Sequence, residues 1–168
     1  MNTPIETERK FLIRMPDTAL LSSLDGVRIL NIEQTYLLSE NGQNSRVRRI
    51  EEKGCIRFIR TTKQRISTLS CYEQEEEISA EHYAEALKNA DKSKKAIIKA
   101  RYAFPFCKHT VEIDIYPFWS DRAILEVELS REDETIELPD FISLIKEVSD
   151  DGRYKNTNLA QSIPLDTI

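Results

Sequence analysis

The sequence has few of the residues that build several common active sites. Its 168 residues include four glycines and two histidines, His82 and His109, which lie far apart in the chain. Neither a P-loop nor a glycine-rich dinucleotide loop occurs. Two separated histidines give little support to a zinc site or to His-based nucleophilic catalysis.

Cysteines and long apolar runs are also scarce. The three cysteines, Cys55, Cys71 and Cys107, are odd in number and lack metal-ligand spacing, so we expect free thiols in a reducing cytoplasm. No apolar run is long enough to span a bilayer, and residues 1–10 lack the apolar segment of a signal peptide. We therefore expect a cytoplasmic protein with no membrane contact.

Charged residues, in contrast, are abundant and make up 32% of the chain. The hydrophobic fraction of 40% and the length fit one folded domain over residues 1–168. A net charge of −5 argues against a broad basic surface for nucleic acid. That average still permits a locally basic cavity.

Alternating polar and apolar residues predict that most of the chain is β-strand. The predicted strands are 5–13, 28–38, 45–50, 55–63, 71–78, 96–104, 110–116 and 123–130, with helices at 79–90, 138–147 and 154–161. Turn residues separate the strands at Pro16–Asp17, Asn41–Gly42, Lys53–Gly54 and Ser120–Asp121, and Gly54 indicates a tight hairpin. We predict an α+β fold, mainly antiparallel β, closed into an eight-stranded barrel because closure removes edges. The few helices would pack outside.

Within these strands, charged side chains recur at every second residue. The groups are Glu6, Glu8 and Lys10; Arg46 and Arg48; Glu73, Glu75 and Glu77; Lys99 and Arg101; Glu112 and Asp114; and Glu126 and Glu128. Residues i and i+2 share one face of a strand, about 6–7 Å apart. Two carboxylates at about 7 Å repel by roughly 2 kcal/mol at an effective dielectric near 20, so an inward face needs interleaved cations. The pattern alone leaves open whether these faces meet solvent or the barrel interior.

A face that mixes glutamates with arginines and lysines suits a phosphate chain. Arg binds phosphate oxygens bidentately and Lys offers a point charge. Carboxylates would repel the chain unless a divalent cation lay between them, and Mg²⁺ or Mn²⁺ prefers oxygen ligands. Such a face could bind phosphate through a metal bridge, and hydrolysis would need no covalent nucleophile.

The order of these motifs along the chain resembles that of a known family. Glu6-x-Glu8-x-Lys10 is followed by Gln34-x-Tyr36, Arg46-x-Arg48, Thr61-x-Lys63, Glu75-x-Glu77, Lys99-x-Arg101, Glu112-x-Asp114, Glu126-x-Glu128 and the segment 151–156. The succession resembles the CYTH domain, the triphosphate tunnel metalloenzyme family, over essentially the whole chain. The resemblance implies an antiparallel barrel of about eight strands whose tunnel is lined by these charges.

The resemblance also implies a role for each charged position. Glu6, Glu8, Lys10, Glu126 and Glu128 would be catalytic, and Glu6, Glu8, Glu126 and Glu128 would hold the catalytic Mg²⁺ or Mn²⁺. Glu112 and Asp114 would hold a second metal ion or orient water. Lys10, Arg46, Arg48, Lys63, Lys99, Arg101, Arg153 and Lys155 would bind phosphates. Glu75 and Glu77 are further candidates, with a solvated strand end as the alternative.

One position departs from the family pattern. The family often has a basic residue shortly before the fifth-strand glutamates, where this chain has Ser70-Cys71-Tyr72. The nearest basic residue is Arg65. A phosphate contact is therefore missing or replaced, which leaves substrate preference open.

The implied activity is metal-dependent hydrolysis of a linear triphosphate, most simply inorganic tripolyphosphate. ATP and thiamine triphosphate are alternative substrates. A class IV-type adenylate cyclase on the same scaffold and a non-catalytic polyphosphate-binding module are alternative functions. We expect a small-molecule triphosphate partner, no nucleic acid, and a monomer or homodimer.

Overall fold

We analysed the protein with a computed structural model that describes residues 5–39 and 43–168. The turn predicted at Asn41–Gly42 lies outside these residues. The strands are β1 (Ile5–Arg14), β2 (Arg28–Tyr36), β3 (Asn44–Glu52), β4 (Cys55–Arg65), β5 (Ser70–Ile78), β6 (Ile97–Phe106), β7 (His109–Ile115), β8 (Arg122–Glu128) and β9 (Leu144–Glu147). The helices are α1 (Thr18–Ser22), α2 (Ala80–Leu87) and α3 (Asn156–Leu159), with a 3₁₀ turn at Gly152–Tyr154.

Eight strands form a closed antiparallel barrel. Their order is β5-β4-β3-β2-β6-β7-β8-β1, and β1 returns to pair with β5, where Glu6 lies opposite Cys71. Beyond this junction β1 pairs with β9, the ninth strand, from Phe11 to Ile13. All eight predicted strands are confirmed, as is the closed barrel.

The predicted hairpin at Gly54 joins β3 to β4. Glu52 pairs with Cys55, and the two residues between them, Lys53 and Gly54, have φ angles of 50° and 81°. Positive φ at both central residues matches the twist of the flanking strands, and glycine adopts it without strain.

Two predictions about helices need correction. Residues 138–147 are not a helix: Leu144–Glu147 form β9, and the Ile142 N–H donates to the Pro139 carbonyl in a turn. The free edge of β1 next to this segment offers backbone pairing that the local pattern does not reveal. The helix predicted at 154–161 is divided into the 3₁₀ turn and the four-residue α3.

The other helices have recognisable caps. The helix predicted at 79–90 is confirmed as α2, whose N-terminus is capped by Ser79 through a bond from the His82 N–H. The sequence did not predict α1, which is too short to show a helical period. The Asp17 side chain caps it by accepting from the N–H groups of Ala19 and Leu20. No helix among the described residues is both long and apolar enough to cross a membrane.

The charged faces of the strands point into the barrel. The opposite phase of β1, Phe11 and Ile13, belongs to an outer apolar cluster that contains Leu21 of α1 and packs against Leu138 and Ile142. On the other side of the barrel, Tyr83 of α2 covers Val47. Because helices and the segment 130–143 cover the outer apolar surface, the polar phase is left to line the interior.

The inward-facing side chains are charged along only part of each strand. Past Arg48, Arg101 and their neighbours, the same strand faces continue with Leu30, Ile32, Ile50, Ile59 and Ala103, which form one buried apolar cluster. This packed layer fills one part of the interior. A second buried apolar cluster contains Leu12, Ile97 and Ile124, which continue the inward faces of β1, β6 and β8. The charged cavity lies in the space that these two clusters leave.

Candidate active site: a charged cavity inside the barrel

A cavity of about 1040 Å³, including its open mouth, lies between the inward faces of the strands. It is lined by six basic and three acidic side chains: Lys10, Arg46, Lys63, Arg65, Arg101 and Lys155, with Glu6, Glu8 and Glu126. Strands β1, β3, β4, β6 and β8 supply most of them, and the segment before α3 supplies Lys155. Most of the phosphate and metal residues predicted from sequence therefore share one space.

Lys10 is bound between carboxylates of β1 and β8. Its Nζ lies 2.8 Å from Glu126 Oε1 and 3.7 Å from Glu8 Oε1. Burial disfavours the charge on Lys10, but Glu126 and Glu8 outweigh this and raise its pKa. Burial also disfavours the charge on Glu126. Lys10 and Arg101 outweigh burial and hold the pKa of Glu126 well below its ordinary value. Both groups are therefore ionised at neutral pH.

Arg101 binds three carboxylates at once. Its Nε lies 2.6 Å from Asp114 Oδ1, its Nη2 lies 3.0 Å from Glu126 Oε2, and it also pairs with Glu112. Asp114 is fully buried and accepts a second ion pair from Lys99. Burial would raise the pKa of Asp114, but Arg101 and Lys99 lower it. These cations already neutralise the carboxylate.

Glu112 differs from Asp114 although it contacts the same guanidinium. Burial raises the pKa of Glu112 to about 7, against the opposing effect of Arg101 and with support from Glu126. Glu112 lies directly opposite Glu126 in the β7–β8 ladder. It is therefore the least stably ionised of the three carboxylates on Arg101.

A second network lies at the junction of β1, β4 and β5. Lys63 pairs with both Glu6 and Glu73, and the Cys71 Sγ lies 3.4 Å from Glu6 Oε2. Ligand atoms of Glu6, Cys71 and Glu73 lie within 4.8 Å of one another, as a metal site would require. However, Lys63 occupies both carboxylates, and burial raises the pKa of the Cys71 thiol to about 11. A protonated thiol beside an ammonium is a poor metal ligand.

The two arginines of β3 differ in their partners. Arg48 pairs with Glu75, and its Nη2 lies 3.2 Å from Thr61 Oγ1. Burial, with the nearby charge of Arg46, lowers the pKa of Arg48 to about 10. Arg46 makes no ion pair among residues 5–39 and 43–168, and its buried Nε has no hydrogen-bond partner there. Burial disfavours the charge on Arg46, but Tyr36, Glu73 and Glu6 outweigh this and raise its pKa. Arg46 is thus a charged cavity residue without a direct ion pair in the described part of the chain.

Glu8 and Glu128 are two further carboxylates that could hold a divalent cation. They lie directly opposite each other in the β1–β8 ladder, and Glu128 makes no ion pair within the described part of the chain. Burial and neighbouring carboxylates raise the pKa of both: Glu126 acts on Glu8, and Glu6 acts on Glu128. A hard cation with oxygen ligands would relieve this repulsion, whereas Glu112 and Asp114 are already bound by Arg101.

Some predicted residues lie elsewhere. Arg153 is exposed and pairs with Asp151 and Asp166, so the structure does not bring it to the cavity. Glu77 is exposed near the end of β5, whereas Glu75 reaches Arg48.

Among the cavity residues that received no role from the sequence, an aromatic and a basic side chain are the most relevant to binding. Tyr36 and Arg65 both line the cavity. Arg65 continues the period-two phase of Thr61 and Lys63 on β4, and that phase was the signal that could have identified it.

Comparison with known proteins shows likeness in fold. No protein-family model and no curated protein matches the chain. Among solved structures, the protein NE1496, described as hypothetical, is 25% identical with a TM-score of 0.58 over 95% of this chain and 99% of that one. A second structure of NE1496, described there as an inorganic triphosphatase, is 24% identical with a TM-score of 0.55 over 95% and 96%. PH1819 from Pyrococcus horikoshii OT3 is 19% identical with a TM-score of 0.61 over 76% and 80%. These likenesses are consistent with a CYTH fold.

Proposed function

We propose that this protein is a CYTH-type hydrolase that uses Mg²⁺ or Mn²⁺ to cleave a linear triphosphate, most simply inorganic tripolyphosphate. The observation that carries the proposal is Arg46, a cation in the cavity wall with no ion-pair partner among the described residues and a buried, unpartnered Nε. Tyr36, Glu73 and Glu6 offset the burial of Arg46 and raise its pKa, so the guanidinium stays charged in the cavity wall. A phosphate oxygen would supply both the charge and the missing hydrogen-bond acceptor.

The other cavity residues fit the same ligand. Lys63 and Arg101 line the cavity and would bind phosphate oxygens beside Arg46, in positions held by their carboxylate partners before the substrate arrives. Such preorganised charge stabilises the negative charge that develops during phosphoryl transfer. Lys99 and Arg48 lie deeper in the barrel. Lys99 would hold Asp114 in position through their ion pair, and Arg48 would add to the positive electrostatic potential of the cavity.

The metal would be held by Glu8 and Glu128, with Glu6 and Glu126 beside them. When bound, a divalent cation neutralises phosphate oxygens and makes a water molecule a better nucleophile. Lys10 keeps Glu126 ionised and oriented through the 2.8 Å contact. We leave Glu112 and Asp114 out of the metal site because Arg101 binds both.

Two further points support the proposal. NE1496, which shares the fold over 95% of this chain, is described as an inorganic triphosphatase, and we extend that activity to this protein. All three cysteines are free, which supports a reducing, cytoplasmic location.

The direct test is phosphate release by the purified protein from tripolyphosphate, ATP and thiamine triphosphate, each with Mg²⁺ and with Mn²⁺. We expect release from tripolyphosphate that depends on the metal and falls by about a hundredfold or more in Glu128→Gln. Absence of release from all three substrates with both metals would contradict the proposal.

Parallel measurements separate the alternatives. Formation of cyclic AMP from ATP would indicate the cyclase reaction instead. Tight binding of tripolyphosphate without turnover, in the parent as well as in Glu6→Gln and Glu128→Gln, would indicate a binding module.

A further inference from the structure

Two cations from distant parts of the chain line the mouth of the same cavity. Arg65 is the last residue of β4, and Lys155 directly precedes α3. Both line the cavity, together with Thr68, Leu69 and Thr157. Arg65 is exposed and Lys155 is half-buried, which places this pair at the solvent end.

Neither cation has a carboxylate partner in the part of the chain that the structure describes. Within residues 5–39 and 43–168, the Arg65 guanidinium donates to the backbone oxygens of Ser67 at 3.1 Å and Thr68 at 2.9 Å and to no carboxylate. Burial together with the charges of Arg65 and Lys10 lowers the pKa of Lys155, so the cations are close enough to repel. Arg101, Lys63 and Lys10 in the same cavity all pair with carboxylates. Unneutralised like charges at a cavity mouth indicate an anion as their partner.

We propose that Arg65 and Lys155 form an anion-binding subsite for the terminal phosphate group of an inorganic phosphate chain. This inference rests on the proposed function and names the end of the substrate that the mouth recognises. Arg65 lies one i to i+2 step, about 7 Å, beyond Lys63 on the same face of β4. An extended chain that contacts Lys63 and Arg46 can therefore reach it.

The position of Arg65 also explains how the mouth is positive without a basic residue on β5. In the β4–β5 ladder Arg65 lies directly opposite Cys71, and no residue of β5 is basic. Residues opposite each other in a ladder project to the same face. Arg65 thus supplies from β4 a positive charge that β5 does not supply at this position of the ladder.

The chemistry of the mouth favours a phosphate terminus over a nucleoside. A nucleobase is usually held by an aromatic or broad apolar surface. Among the described residues that line the cavity, the one aromatic side chain is Tyr36, whose hydroxyl accepts from Gln34 Nε2 at 2.7 Å and is therefore tied to the buried interior. Apart from Tyr36, the uncharged lining of the cavity includes Thr68, Leu69, Ser149, Asn156 and Thr157, none of which is aromatic. We therefore expect tripolyphosphate to bind more tightly than ATP.

The test compares phosphate chains of different length. Arg65→Ala, Lys155→Ala and the conservative Arg65→Lys are titrated calorimetrically with tripolyphosphate and with pyrophosphate in the presence of Mg²⁺, and KM is measured in parallel. The control is Arg60→Ala, an exposed arginine on the outer phase of the same strand. We expect each alanine variant to weaken tripolyphosphate binding about tenfold, the double variant more, and Arg65→Lys to keep most of the affinity. Pyrophosphate is too short to reach from Lys63 and Arg46 to the mouth, so its affinity should change little in these variants.

Each other outcome is informative. Unchanged tripolyphosphate affinity in both alanine variants would overturn the subsite. An equal loss of affinity for pyrophosphate would also overturn it, because the two cations would then act only through the overall positive potential of the cavity. If the parent binds tripolyphosphate without releasing phosphate, the proposed function fails while the titrations still decide the subsite. If the parent binds neither chain, both proposals are overturned.

Discussion

Lys10 and Glu126 face each other across the β1–β8 ladder inside the barrel, with Nζ 2.8 Å from Oε1. Both side chains are almost completely buried, at 10% and 7% exposure. A charge pair in such a position is stable only while both members are present. The same pair belongs to the cavity wall, so it links the stability of the barrel to the chemistry of the site.

Replacing Lys10 should therefore destabilise the fold. Lys10→Met leaves Glu126 buried with Arg101 as its remaining close cation, and we expect a loss of about 3 kcal/mol in the free energy of unfolding. Urea unfolding measures this. The double variant Lys10→Met/Glu126→Gln should recover most of the loss, whereas Arg9→Met, which removes a half-exposed pair with Glu147, should cost about 1 kcal/mol or less. A double variant no more stable than Lys10→Met would show that the pair is not the cause.

Arg46→Ala should weaken the binding of tripolyphosphate with little effect on the stability of the fold. Arg46 has no ion pair in the described residues and disfavours the charge on Arg48, whereas Glu73 and Glu6 favour the charge on Arg46 itself. These effects oppose each other, so its removal should change the melting temperature little. Tripolyphosphate affinity should fall by at least about tenfold, since a buried charge-assisted contact is lost. Calorimetric titration and thermal unfolding check the two effects, with the outward-facing Arg49→Ala as control. A large loss of stability with intact binding would contradict the role proposed for Arg46.

The carboxylates Glu8 and Glu128 should be destabilising without metal. We expect Glu8→Gln and Glu128→Gln to raise the melting temperature in EDTA, because each removes a charge that burial and neighbouring carboxylates disfavour. In the parent, Mg²⁺ or Mn²⁺ should raise the melting temperature by linkage, and the variants should lose this increase. The exposed Glu33→Gln should behave as the parent does. A metal-induced shift retained in both variants would place the ion elsewhere.

The raised pKa of Glu112 predicts that the stability of the fold depends on pH. Its pKa of about 7 in the folded protein exceeds the ordinary value of 4.5, so between these values the folded state binds more protons than the unfolded one. The free energy of unfolding contributed by this group therefore falls as pH rises from about 4.5 to 7. Glu112→Gln should remove that slope and be more stable than the parent above pH 7, by on the order of 1–3 kcal/mol.

Thermal unfolding in EDTA at several pH values between 5 and 8 measures this difference. The exposed Glu33→Gln, which lies outside the barrel, serves as the matched control. Parallel pH profiles for the parent and Glu112→Gln would show that Arg101 keeps Glu112 ionised throughout.

The sequence by itself determined the strands, because strand formation follows from local alternation. All eight barrel strands and the hairpin at Gly54 were predicted from period two and turn residues. The charged doublets were also visible, since residues i and i+2 must share a face. Local pattern failed at residues 138–147, where pairing with the edge of β1 produced a strand in place of a helix.

Tertiary structure alone decided which face of each strand is inside. The same alternation is compatible with charges outside or inside, and the choice follows from α1, α2 and the segment 130–143 covering the outer apolar face. Contacts between distant residues were equally invisible in the sequence. Arg65 and Lys155 line one cavity because the fold brings the end of β4 and the segment before α3 to the same space. Arg153, two residues from Lys155, is bound outside by Asp151 and Asp166.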